Sequence, residues 1–128
     1  MDGSSDPPVS GEIATAAMLF DLARVELVDV LGTTPLAVLL RRAQGRAIAV
    51  QPGLSGFVVE REGYGYRYHL PSTWSEAGAG AEAEFAALVR ALVPLLAELA
   101  GTVGVLRLVA VAPLWANGIL REEDMVRW

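Results

Sequence analysis

The sequence predicts an α+β fold in which helices cover one face of a mainly antiparallel sheet of three to four strands. Three observations predict this class. Two long segments, about 12–31 and 82–100, are rich in alanine and leucine and carry apolar residues at helical spacing. Between them, residues 56–70 alternate apolar and polar side chains around a central glycine, as a β-hairpin does. The length of 128 residues suits a single domain with one core.

The N-terminal part of the chain is predicted to contain a tail and a long helix. Residues 1–10 are polar with two prolines and are expected to form a flexible tail, so that the domain comprises residues 11–128. The first helix is apolar most of the way around, because Met18, Leu22 and Val25 widen its main apolar stripe. Two interpretations explain that breadth: a helix–helix contact between two copies of the chain, or a central core helix.

A helix-terminating residue and a helix-initiating segment follow the first helix. Gly32 is expected to end it, and Thr33-Thr34-Pro35 supplies an N-cap and a proline for the first position of a second helix. This second helix is predicted over residues 35–44 and ends at Gly45. Residues 47–51 are then predicted to form a short strand.

The middle of the chain gives the clearest strand pattern. Gly56–Arg61 and Tyr64–Leu70 are predicted to pair as antiparallel strands, joined by a tight turn at Glu62-Gly63 that places Val59 opposite Tyr66. Alternation divides the side chains between two faces of the hairpin. One face is expected to carry Phe57, Val59, Tyr64, Tyr66 and Tyr68, and the other Val58, Glu60, Arg67 and His69.

The C-terminal third is predicted to hold a helix and a final strand. The helix runs over about 82–100 and is expected to kink at Pro94, which lies on its outer face, before Gly101 ends it. Residues 103–112 are rich in valine and are predicted to form a mostly buried strand. Their periodicity is equally compatible with a helix.

Composition narrows the function classes. The chain is 53% apolar and only 20% charged, so we expect apolar surface to be left over for a partner. Its ten cations are all arginine and face fifteen anions, which disfavours nucleic-acid binding by phosphate neutralisation. Arginine without lysine, with abundant alanine and glycine, is typical of a GC-rich, bacterial genome. A polar N-terminus and the lack of a long uncharged run favour a cytoplasmic protein without a membrane span.

Catalytic and metal-binding patterns are absent from the sequence. There is no cysteine, which excludes thiol catalysis and cysteine-ligated metals, and His69 is the only histidine. The stretch Pro52–Gly56 contains Ser55 but lacks the spacing and the strand-to-helix context of a nucleophile elbow. We therefore predict no catalytic residue, no metal site and no cofactor, and we expect the protein not to be an enzyme.

The candidate contact residues are aromatic or lie on the hairpin. On one face of the hairpin, Glu60, Arg67 and His69 could line a polar pocket or simply form a solvated surface. On the other face, Tyr66 and Tyr68 could bind a flat ligand or pack under a helix. Tryptophan is a favoured interface anchor, and the candidates of this type are Trp115 and Trp128.

The resulting functional expectation is a non-enzymatic bacterial interaction module of the regulatory, adaptor or immunity type. It is expected to bind another protein through an apolar surface and to form a homodimer. The alternative, from another class, is a small-ligand sensor with its pocket between the sheet and the helix that contains Pro94.

Overall fold

The computed structural model describes residues 15–76 and 78–121 and confirms the α+β class for that part of the chain. Its helices and strands are α1 (Ala16–Leu31), α2 (Thr33–Ala47), β1 (Val58–Glu62), β2 (Gly65–His69), α3 (Ala79–Val109) and α4 (Ala112–Ala116). Two 3-10 turns, Pro52–Gly56 and Ser72–Ser75, flank the hairpin. The predicted tail, residues 1–10, lies outside the described residues, so the division of the chain into tail and domain stays a prediction.

Short-range caps define α1. The side chain of Thr15 accepts a hydrogen bond from the backbone N–H of Met18 at 3.2 Å and begins the helix. Gly32 ends it with a φ of 87°, a value that favours glycine, and its N–H donates to the carbonyl of Val28. The next helix follows without a spacer, so Pro35 lies within the first turn of α2 rather than at its first position.

The strand predicted at 47–51 is wrong, because α2 continues through Gly45 to Ala47 and a turn follows. Ala47 is buried and extends the inward-facing row of α2 by one turn beyond Ala43. The backbone N–H groups of Val50 and Gln51 both donate to the carbonyl of Ala47 at 2.9 Å. These hydrogen bonds turn the chain instead of extending it.

The hairpin is confirmed, but its turn and register differ from the prediction. Gly63-Tyr64 forms the turn, so that Val59 lies opposite Tyr68 and Arg61 opposite Tyr66. Gly63 has a φ of 59° at the first central position, as in a type II′ turn. Because the register moves by two positions, every strand residue keeps its predicted face. The described residues contain two strands, not the predicted three to four.

The final strand predicted over 103–112 is also wrong, because α3 resumes after a break and continues to Val109. The break lies at Gly101 (φ 62°, ψ −152°) rather than at Pro94, which occupies helical backbone on the exposed side. Proline fits a helical φ and removes only one hydrogen bond, whereas the non-helical angles of Gly101 kink the helix. Beyond the break, Gly104 and Leu108 face inward at helical spacing, while Val103 and Leu106 are exposed, so the segment is a helix with apolar side chains on both sides.

The core is built around α3, which packs against both α1 and α2. An aromatic cluster closes one end of it, with ring centroids between 5.4 and 6.4 Å apart: Phe20, Phe57, Tyr68, Trp74 and Phe85. The hairpin packs mainly on α2 rather than on the Pro94 segment, and Tyr68 also contacts Phe20 of α1.

By length and composition, the segment Gly80–Val109 is apolar enough to cross a membrane, and 33% of its most apolar stretch is buried. A core helix passes the same test. In this segment Leu88, Leu92 and Leu96 are buried beside α1 and α2, whereas Leu99, Val103 and Leu106 are exposed.

Candidate functional site

The outward face of α1 carries one of the exposed apolar surfaces of the described structure, alongside Leu99, Val103 and Leu106 of α3. Met18, Leu22 and Val25 lie on it at helical spacing and are 45%, 44% and 53% exposed. We call these three residues the α1 stripe. They are the residues that widen the apolar pattern of the first helix in the sequence, and the structure places them in solvent while Leu19, Phe20 and Leu27 fill the core.

Ion pairs border the α1 stripe on both sides. On the side of the hairpin, the guanidinium of Arg24 lies 2.6 Å from the carboxylate of Asp21. On the opposite side, Arg107 of α3 reaches Glu26 at 3.1 Å and Asp29 at 2.7 Å. Hydrogen bonds to Asp29 and then Glu26 raise the pKa of Arg107, which stays charged. The Asp21–Arg24 pair is neutral, whereas Arg107 offsets one of the two carboxylates Glu26 and Asp29 and leaves one negative charge on its side.

A groove separates α1 from β2 on the hairpin side of the stripe. It encloses about 400 Å³, and we call it the α1–β2 groove. Its lining residues are Ala17, Phe20, Asp21, Arg24, Tyr66, Tyr68 and Leu70. The structure thus brings Tyr66 and Tyr68, two of the predicted contact residues, to a cleft beside α1.

The two tyrosines differ in their surroundings. The guanidinium of Arg41 lies 5.8 Å from the ring centroid of Tyr66, within the range of a cation–π contact. Tyr68 is half-buried against Phe20 and Phe57, and this desolvation raises the pKa of its hydroxyl. Tyr68 is therefore a neutral hydrogen-bonding group at physiological pH.

The opposite face of the hairpin holds the other three predicted residues. His69 Nε2 lies 2.8 Å from Glu60 Oε1, and Arg67 pairs diagonally with Glu62 at 2.6 Å. The hydrogen bond with His69 lowers the pKa of the Glu60 carboxyl. All four side chains are largely exposed, so this face forms a charged surface without an enclosing wall.

Two side chains of α2 fix the hairpin and its preceding turn in place. Arg41 donates to the carbonyl of Val59 at 2.9 Å. The Nε2 amide of Gln44 donates to the carbonyls of Leu54, at 2.8 Å, and of Phe57. Neither contact was predicted, because helical spacing places Arg41 and Gln44 on α2 but does not show which part of the chain packs against them.

The tryptophans have separate positions. Trp115 is half-buried in α4, and its indole N–H donates to the carbonyl of Val109 at 2.7 Å. It therefore ties α4 to the end of α3, while part of its ring stays accessible. Trp74 is fully buried and donates to Glu84 at 3.0 Å. Trp128 lies outside the described residues, so its predicted contact is not located.

Two other spaces exist in the described structure. A second open groove of about 380 Å³ lies between α2 and α3, with Val38 and Leu99 on its walls and Arg42 and Glu98 at its edges. A third space, of about 10 Å³, is enclosed by apolar side chains between α1, α2 and α3 and is close to the size of one water molecule. Across residues 15–76 and 78–121, no group of three or more acidic or histidine side chains is arranged to hold a metal ion.

Comparison of the chain with protein families, with curated proteins and with solved structures found no match.

Proposed function

We propose that this chain is a non-enzymatic bacterial cytoplasmic interaction module, of the regulatory, adaptor or immunity type, that forms a homodimer through the α1 stripe. The exposure of Met18, Leu22 and Val25 on one face of one helix carries the proposal. Apolar side chains scattered singly on a surface need no explanation, but a contiguous row is typical of a contact between proteins.

The charges beside the α1 stripe favour a second copy as the occupant. In a two-fold contact between identical helices, each residue meets the same kind of surface on its partner. Unpaired carboxylates at the edges would then face one another and repel. Here Arg24 compensates Asp21, and Arg107 offsets one of the two carboxylates Glu26 and Asp29, so the ion pairs reduce the repulsion that two copies would feel in such a contact.

The non-enzymatic part of the proposal is supported by where the polar groups lie. His69, the only histidine, is on the solvent face of the hairpin, whereas the α1–β2 groove lies on the other face. Ser55 is exposed in the 3-10 turn Pro52–Gly56, which has no strand leading into it and no helix following it.

The dimer is tested by sedimentation velocity on the wild type and on Leu22→Glu over about 5–100 μM protein. Glutamate keeps the helix propensity of this exposed position, and in a two-fold contact it would bring two carboxylates into an apolar surface. The matched control is Val58→Glu, since Val58, on the hairpin, is 46% exposed and Leu22 is 44% exposed.

We expect a concentration-dependent dimer for the wild type and for Val58→Glu. For Leu22→Glu we expect a dissociation constant at least about 100-fold higher, equivalent to about 2.7 kcal/mol. A wild type that is strictly monomeric at about 50 μM would overturn the proposal. So would a dimer that tolerates Leu22→Glu but is lost in Leu99→Glu, because the contact would then lie in the α2–α3 groove.

A further inference from the structure

We propose that the α1–β2 groove binds a free aromatic amino acid in its zwitterionic form. This activity goes beyond dimerisation: the groove opens beside the α1 stripe and does not include its three residues, although the Asp21–Arg24 pair borders both surfaces. Three properties of the groove lead to this ligand: its size, its aromatic wall and the pair of opposite charges at its opening.

The size of the groove suits a single small molecule. A volume of about 400 Å³ lies in the lower part of the range of small-molecule sites, which is about 300–1,000 Å³. The groove is open at one side, so the polar end of a ligand would remain near solvent. An amino acid with one or two aromatic rings has the corresponding dimensions.

The walls are suited to a flat apolar ring. Tyr66 and Tyr68 are two positions apart on β2 and therefore present their rings on the same face of the hairpin. Ala17 lies on the facing side of α1. The ring of Phe20 beside it is buried and contacts the ring of Tyr68 edge-to-face at 5.5 Å, so Tyr66 and Tyr68 provide the accessible aromatic surface. Ring-on-ring contacts of this kind add specificity to the burial of apolar surface.

The polar groups are suited to the two charges of an amino acid. The carboxylate of Asp21 and the guanidinium of Arg24 lie 2.6 Å apart at the opening and are both partly exposed. A zwitterion offers its ammonium to Asp21 and its carboxylate to Arg24. Each side chain therefore keeps a charged partner when the Asp21–Arg24 ion pair separates to admit the ligand. A simple anion would leave Asp21 unpaired and would also be opposed by the net charge of −5.

Tyr68 supplies the remaining polar contact. Within the part of the chain that the structure describes, its hydroxyl makes no hydrogen bond to another residue. It is half-buried at the groove, and Arg24 is close enough to act on its electrostatics. This hydroxyl is available to donate to the ligand carboxylate beside Arg24.

Nuclear magnetic resonance titration tests this proposal with L-phenylalanine, L-tyrosine and L-tryptophan as probes. Phenylacetate lacks the ammonium group and phenethylamine lacks the carboxylate, so both serve as comparison ligands. The titration is done on the wild type and on Leu22→Glu. Because Leu22 does not line the groove, the ligand result is independent of whether the dimer forms.

We expect at least one amino acid to shift the amide resonances of residues 17–24 and 66–70, with a dissociation constant below about 1 mM. The same amino acid should bind at least about tenfold more tightly than either comparison ligand. Arg24→Gln and Asp21→Asn should each weaken binding at least about tenfold, whereas Arg67→Gln, on the opposite face of the hairpin, should not. No saturable shift at these residues below about 10 mM would overturn the proposal, as would phenylacetate binding as tightly as the amino acids.

Discussion

The packing of the helical segment that follows Gly101 can be tested with a pair of glycine-to-alanine substitutions. Gly104 and Gly45 both lie in helices, at negative φ, so alanine suits the backbone at either position. Their surroundings differ. A Cβ added at Gly104 would lie 2.7 Å from the Cβ of Ala100 and 3.0 Å from a methyl carbon of Leu96, whereas one added at Gly45 would have no atom within 4 Å.

The expected free-energy changes have opposite signs. Replacing glycine by alanine within a helix stabilises a protein by about 0.5–1 kcal/mol, and Gly45→Ala should show this gain. At Gly104 the same gain is opposed by overpacking, which costs about 1–3 kcal/mol. The Cβ of Ala100 cannot rotate away, so the upper part of that range applies. Gly104→Ala should therefore be less stable than the wild type by about 1–2 kcal/mol.

Urea unfolding monitored by circular dichroism at 222 nm measures both variants. The midpoint should rise for Gly45→Ala and fall for Gly104→Ala, with the slope of the transition unchanged. A Gly104→Ala variant stabilised as much as Gly45→Ala would refute the reasoning. The segment after Gly101 would then not pack against the turn formed by Leu96 and Ala100.

Three further predictions concern the contacts that position the hairpin and the aromatic cluster. Trp74→Phe removes the N–H that binds Glu84, and the free energy of unfolding should fall by about 2 kcal/mol in the same urea assay. Gln44→Ala removes two hydrogen bonds to backbone carbonyls and should cost about 1–3 kcal/mol, with an unchanged helix content in circular dichroism. The hydrogen bond with His69 lowers the pKa of Glu60 in the folded state. Ionised Glu60 therefore contributes to stability above its unfolded-state pKa. This contribution is lost as the pH falls through its folded-state pKa. Titration of the Glu60 carboxyl carbon by nuclear magnetic resonance should give a midpoint below the ordinary value of a glutamate, and His69→Ala should raise it; an unchanged midpoint in His69→Ala would contradict the assignment.

The hairpin shows which parts of a fold this sequence specifies locally. Strict alternation over residues 58–62 and 65–69 predicted the two faces, because side-chain direction depends only on the period of two. The register depends on whether Gly63 is the first or the second central residue of the turn. Glycine suits both positions, so the local sequence leaves this choice open and contacts with Val59 and Tyr68 decide it.

Tertiary packing decided the elements that the sequence analysis predicted wrongly. The valines after Gly101 favour a strand by composition, but Gly104 and Leu108 let the segment pack as a helix beside Leu96. The candidate sites follow the same division. Periodicity indicated that Met18 lies outside the main apolar row of the first helix. It could not show whether that main row or the row that contains Met18 faces solvent.

The position of the candidate groove also depended on packing. The ligand pocket was predicted between the sheet and the Pro94 helix, whereas the groove that contains Tyr66 and Tyr68 lies beside α1. Which helix a hairpin packs against is determined by side chains such as Arg41 and Gln44, whose partners are 10–18 residues away in the chain.

The bridge from Arg107 to α1 joins residues that are 78 and 81 positions apart in the chain. During translation α1 is synthesised well before Arg107, so until then Glu26 and Asp29 lack the cation that faces them in the folded structure. In the proposed dimer, the last turns of α3 therefore reduce the repulsion between the two copies at this edge of the α1 stripe.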